Sequence, residues 1–121
     1  MTTARPLEVR LALGILAGAA ALFVAIALVR LGEDPGAVRF PIILGVLGLL
    51  VVATLWLRWR AARAVALGYA TVAVLVHVLI ALGDLPVWVR AASGVLAAAH
   101  AYAVVLLLTR PSTEHFARST P

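Results

Sequence analysis

Charge is missing from four long stretches of this 121-residue chain, and those gaps limit what it can fold into. Leu11–Val29 runs 19 residues without an acid or an arginine, Phe40–Leu57 runs 18, Ala64–Gly83 runs 20 and Ala91–Thr109 runs 19. At 1.5 Å of rise per residue, each reaches roughly 27–30 Å as a helix, the thickness of a bilayer's hydrocarbon core. All four are rich in Leu, Val and Ala on every side, whereas a helix on the surface of a soluble bundle keeps a polar face. Strands of a membrane barrel are about ten residues long and alternate in polarity, which these stretches do not. The expected fold is therefore all-α and polytopic: one domain, 1–121, with spans near 11–29, 40–57, 64–83 and 91–109 and a polar tail at 110–121.

Composition agrees. The chain is 64% hydrophobic and 12% charged, against about 45–50% and 25% in soluble globular proteins. It has no Lys, Asn, Gln or Cys, so disulfide scaffolds, thiol chemistry and cysteine metal sites are excluded. The first apolar run is too long for the core of a cleaved signal peptide, and Leu31-Gly32-Glu33-Asp34 lacks the small residues of a cleavage site.

Prolines and short polar stretches mark the boundaries. Pro6 suits the first turn of helix 1, where a missing N–H costs nothing. Asp34-Pro35-Gly36 is turn chemistry, Pro41 can open helix 2, and Gly83 can close helix 3 ahead of Asp84 and Pro86. Helix 4 is expected to start before its uncharged core, with Trp88 and Arg90 at the interface, and to end at Pro111. The tail is expected to fray, with Phe116 as an anchor in the headgroups. The three connections hold about nine, six and seven residues, short enough to make successive helices antiparallel neighbours in an up-down-up-down bundle.

The arginines predict the orientation. Arg5 and Arg10 precede helix 1, Arg58, Arg60 and Arg63 fill the middle loop, and Arg110 and Arg118 follow helix 4. Four crossings place these seven on one side and leave Arg30, Arg39 and Arg90 on the other. The positive-inside rule then puts both termini in the cytoplasm and the protein in the cytoplasmic membrane. Trp56 and Trp59 fall at the inner interface, Phe40 and Trp88 at the outer one.

Lipid tails are as apolar as leucine, so association between the helices has to come from close packing and a few polar contacts. Helix 1 offers Gly14-x-x-x-Gly18, continued by Ala21 and Ala25. Helix 2 has Gly45 and Gly48. In helix 4, Ala91, Ala92, Ser93, Gly94, Ala97, Ala98, Ala99, Ala101 and Ala103 make an almost smooth surface, expected inside the bundle or against a partner.

Polar groups at depth in a membrane are candidates for function, and here they are few: Thr54, Tyr69, Thr71, His77, Ser93, His100, Tyr102 and Thr109. The hydroxyls of Ser and Thr are expected on their own i−4 carbonyls, and the tyrosines in the bundle or at an interface. His77 and His100 lie about 9 Å and 13 Å from the outer ends of helices 3 and 4, at similar depth on neighbouring helices. They are read three ways: as neutral imidazoles bonded within the bundle, as the lining of a proton path or polar pocket, or as axial ligands of a haem b. Packed helices lie about 8–10 Å apart, and a haem between two neighbours would force them to splay. Two histidines without carboxylate or thiolate make an incomplete metal site.

The loop Arg58-Trp59-Arg60-Ala61-Ala62-Arg63 is the densest positive cluster. It is expected to act as a topology determinant, with attraction to anionic headgroups of about 1 kcal/mol per Arg as an addition, its three charges falling short of a lipid-binding cluster. Nucleic acid is not an expected partner, since these arginines flank membrane segments rather than forming a basic face. No phosphate-binding glycine loop, Ser/His/Asp constellation or carboxylate pair is present.

The segments Arg5-Pro6-Leu7-Glu8-Val9-Arg10-Leu11-Ala12, Arg60-Ala61-Ala62-Arg63-Ala64-Val65-Ala66-Leu67 and Leu106-Leu107-Leu108-Thr109-Arg110-Pro111-Ser112, with Phe116 beyond them, give the chain its family likeness. It resembles the small, uncharacterised integral membrane proteins of actinobacteria. The resemblance implies a four-helix fold and a cytoplasmic-membrane location, and carries no activity. The expected function is that of a non-enzymatic accessory or scaffolding subunit, or a self-associating bundle, whose partners are the lipid bilayer and other membrane subunits or itself. A haem b- or quinone-associated redox subunit using His77 and His100 is the alternative. A small transporter or channel is a further one, disfavoured by the lack of embedded charge.

Overall fold

The computed structural model describes residues 5–33 and 35–117. Asp34 of the expected turn and Arg118 of the tail lie outside the described residues. Within them the chain is helical, without strands: α1 Leu7–Val29, α2 Arg39–Trp56, α3 Ala62–Leu82, α4 Val87–Leu108 and α5 Arg110–Ala117. Two short 3-10 turns, Arg30–Gly32 and Pro35–Val38, join α1 to α2. The first four helices are long and apolar enough to cross a membrane.

The ends follow local chemistry. Pro6 and Pro86 occupy the N-cap positions of α1 and α4, with φ of −57° and −53° that lead into a helix without needing an N–H. Helix α1 begins ahead of its uncharged core, taking Glu8 and Arg10 into its first turns. In the same way α4 carries Trp88 and Arg90. Gly83 ends α3 in an extended conformation rather than a left-handed one. Among the described non-glycine residues, positive φ falls on Arg58, at 57° in the loop between α2 and α3. A side chain there costs about 1–2 kcal/mol, and the Arg58 guanidinium offsets this by donating to the His115 carbonyl at 3.0 Å.

The tail departs from expectation. Thr109 breaks α4 with an extended ψ of 158°, and Pro111 sits in the first turn of α5 instead of merely closing α4. The break is tied off locally: Ser112 Oγ and Thr109 Oγ1 each donate to the Leu106 carbonyl at 2.7 Å. Residues 110–117 therefore fold back as an ordered amphipathic helix. Phe116 is 3% exposed and lies in the core with Val9, Ala62 and Leu107, not in the headgroups.

Helix α1 packs against both α2 and α4, and α3 packs along α4, with a thinner contact between α2 and α3. Arginines bind the ends of these pairs. Arg5 Nη2 donates to the Trp56 carbonyl at 2.6 Å while its guanidinium lies 4.0 Å over the Trp56 ring. Arg63 Nε donates to the Leu107 carbonyl at 2.8 Å, and Arg90 Nε to the Ala81 carbonyl at 2.9 Å. Each occupies a carbonyl in the last turn of a neighbouring helix, where no intrahelical donor remains and the helix dipole favours a cation.

The buried interior is uneven along the bundle. At the end that holds α5, Val9, Ala12, Leu16, Leu55, Ala66 and Leu107 join a large cluster. Toward the other end a small cluster of Ala19, Phe23, Leu44 and Leu96 takes over. Gly45 and Gly48 belong to real close approaches. A Cβ on Gly45 would collide with Val24 Cγ2, and one on Gly48 would meet the Tyr69 hydroxyl and lie 3.2 Å from Ala20 Cβ. Gly14 and Gly18 do the opposite. They face outward with nothing within 4 Å of a Cβ, in line with the exposed Ala21 and Ala25. Helix α4 is divided: Ser93, Ala97 and Ala103 turn inward, and Ala91, Gly94, Ala98 and Ala101 turn outward.

Candidate functional site

The polar centre of the bundle is a pair of histidines brought together by α3 and α4. His77 and His100 are each 1% exposed. Their rings stack with centroids 5.2 Å apart and planes inclined by 30°. Positions 66, 70, 73 and 77 of α3 fall on one buried face, and Ala66, Ala70 and Ala73 are small enough to let α4 come close. On α4, Ser93, Leu96, Ala97, His100 and Ala103 form the matching face.

The surroundings fix one tautomer. His100 Nδ1 lies 2.7 Å from the Leu96 carbonyl one turn earlier. A carbonyl only accepts, so Nδ1 carries the proton and Nε2 of the neutral ring is left with a lone pair. That Nε2 and Nδ1 of His77 are buried with no hydrogen-bond partner among the described residues. Phe23 of α1 meets the His77 ring edge-on at 4.6 Å between centroids, and Tyr69 lies 6.0 Å from the His100 ring. The Tyr69 hydroxyl donates to the Leu44 carbonyl at 3.1 Å, linking α3 to α2.

The other polar residues scatter. Thr71 bonds its i−4 carbonyl, Leu67, while Thr54 and Thr109 bond i−3 carbonyls at Val51 and Leu106. Tyr102 faces outward, 52% exposed. Ser93, 2% exposed, lines a cavity toward the end of the bundle away from α5. The sequence places His77 and His100 at similar depth on neighbouring helices, and the structure brings their rings into contact. Sequence reasoning missed the carbonyl-binding roles of Arg5, Arg63 and Arg90, for which their position beside helix ends was the available signal.

The pair does not fit a haem held between two imidazoles. Such a haem needs both rings pointing at one iron with the macrocycle between them, and here the rings stack against each other with centroids only 5.2 Å apart, which leaves no room for a macrocycle. Among the described residues no three His, Asp or Glu side chains converge into a metal-binding group. What the arrangement offers is two unused imidazole nitrogens in an apolar setting, with His100 Nε2 placed to accept a hydrogen bond from a small polar group. Comparison with known proteins found no matching family model, no matching curated protein and no matching solved structure, so the resemblance drawn from the sequence gains nothing from it.

Proposed function

We propose that the protein is a non-enzymatic, multi-pass protein of the cytoplasmic membrane that works by packing against other membrane subunits or copies of itself. In this reading its spans run up-down-up-down with both termini in the cytoplasm, as the seven-to-three arginine bias supports. The observation that carries the packing role is the outward face of α1. Gly14 and Gly18 are not used inside the bundle, and with no side chain and open space beside them a second backbone can approach. The outward Ala91, Gly94, Ala98 and Ala101 of α4 supply a further smooth stripe.

The chain has no cysteine, so a single Gly14→Cys reports contact directly. Oxidation of membranes holding that variant should give a disulfide dimer, or an adduct with a partner subunit, that Gly18→Leu suppresses. Migration of the wild-type protein only as a free monomer in gently solubilised membranes contradicts the proposal.

A second reading, favoured by the unpartnered His77 Nδ1 and His100 Nε2, is a quinone-associated redox subunit in which His77 Nδ1 donates to a quinone oxygen and His100 Nε2 accepts from the hydroxyl of the reduced quinol. Quinone retained by the purified protein and lost from the His77→Leu/His100→Leu variant is its test.

A further inference from the structure

At the end of the bundle away from α5, where the apolar core thins, a cavity of about 220 Å³ opens among the first four helices. Its wall includes Phe23, Phe40, Ile80 and Val89, with Ser93 toward the interior and Arg30 as its charged member. Its lining lacks the contacts a filled core would make.

Arg5, Arg30 and Arg58 each bury an Nε without a partner, but Arg5 and Arg58 donate through Nη2 to the Trp56 and His115 carbonyls, and no such bond from Arg30 is formed among the described residues. Arg30 is half-buried, and its Nε is shut away from solvent with no hydrogen-bond partner among the described residues. The ion pair formed among those residues, Arg110–Glu114, lies at the opposite end. The neighbouring Arg90 has its Nε on the Ala81 carbonyl, whereas Arg30 points a cation with an unused donor along an apolar wall. A charged donor left unsatisfied is costly, and an oxygen anion meets it best, through charge-assisted hydrogen bonds.

Depth supplies the rest of the ligand. Phe23 lies seven residues before Arg30, about 10 Å further into the bundle at the helical rise. The cavity thus has a cation at the level of α1's end, apolar walls from Phe40, Ile80 and Val89 in the terminal turns of the other helices, and Phe23 with the Ser93 hydroxyl deeper in. This is the polarity of an amphiphile seated head-up in a membrane.

We propose that this cavity binds an acyl chain bearing an anionic oxygen head, with the carboxylate or phosphate on Arg30 and the chain against Phe23, Phe40, Ile80 and Val89. Free fatty acids and anionic phospholipids share this chemistry.

The full chain in a non-ionic maltoside detergent is titrated with oleate, oleyl alcohol and phosphatidylglycerol, with stoichiometry read by native mass spectrometry. Oleate or phosphatidylglycerol should saturate at one per chain, and oleyl alcohol should bind at least tenfold more weakly. Binding of oleate alone identifies a free acid as the ligand, and displacement of oleate by phosphatidylglycerol identifies a lipid. Arg30→Gln, which removes no hydrogen bond within the described chain, should weaken binding at least tenfold and abolish the preference over the alcohol. Ala27→Leu, which fills the cavity and keeps the arginine, should weaken it as much, with unchanged helical content by circular dichroism showing that each variant folds. Equal binding of acid and alcohol, undiminished binding by Arg30→Gln, or no saturable binding of either anionic probe overturns the proposal. So does displacement of oleate by inorganic phosphate at the same concentration, since no chain would then be needed.

Discussion

His77 of α3 and His100 of α4 stack ring on ring, 5.2 Å between centroids, with His100 tied to Leu96 and Phe23 in T-shaped contact with His77. The contact joins two helices through groups that lipid cannot supply, and it should show as an energetic coupling. In a double-mutant cycle with His77→Leu and His100→Leu, the coupling should be about 0.5–1.5 kcal/mol, the range of aromatic pairs. Reversible unfolding in mixed micelles measures it. Additive single effects would mean the stacking contributes nothing.

The two kinds of glycine should part company. Gly45→Ala drives a methyl into Val24, whose branched side chain has little freedom in a helix. It should destabilise the monomer by about 1–3 kcal/mol, with Val24→Ala restoring most of the loss. Gly14→Ala meets nothing and should leave monomer stability unchanged or slightly raised. Thermal unfolding at low protein concentration separates the two.

Arg63 and Arg60 contribute alike to the positive loop, yet only Arg63 is seen on a helix-end carbonyl, Leu107 at 2.8 Å. Arg63→Ala should cost about 1.5–3 kcal/mol, the loss of a hydrogen bond from a charged donor. Arg60→Ala should fall within about 0.5 kcal/mol of the wild type. The comparison, made by chemical denaturation, separates packing from topology, because both variants remove one positive charge.

Phe116→Ala should cost about 3–5 kcal/mol, as expected for a buried aromatic, and should expose α5 to protease while the four long helices persist. Limited proteolysis with mass readout checks it. An unchanged cleavage pattern would place Phe116 outside the core.

The existence and approximate extent of the four long helices were legible because charge is so sharply confined. Each uncharged run falls almost wholly within a helix, with only Leu57, Gly83 and Thr109 left just past their ends. Which face of each helix turns inward was not legible, and the reason is physical. In a membrane the lipid-facing and core-facing sides are both apolar, so hydrophobic periodicity carries little information. Gly14 and Gly18 read as a seam and proved to face outward, while Gly45 and Gly48, less conspicuous by spacing, form the contacts. The similar depth of His77 and His100 on neighbouring helices was readable, but the ring contact between them was only one of the partners the sequence left open. The fold-back of 110–117 was not readable, because Phe116 is a lone apolar residue in a polar tail and its burial depends on the space beside Val9 and Ala62. Arg30 was counted only as a loop charge, and its position along a cavity appears once four helix ends converge.

Single-cysteine labelling of intact cells tests most directly the proposed four crossings with α5 and the middle loop on the cytoplasmic side. With an impermeant maleimide, Gly36→Cys and Asp84→Cys should react at once, and Arg60→Cys and Thr113→Cys only after the membrane is opened. Labelling of Gly36→Cys and Thr113→Cys from the same side, or of all four positions in a protein recovered without detergent, would contradict it.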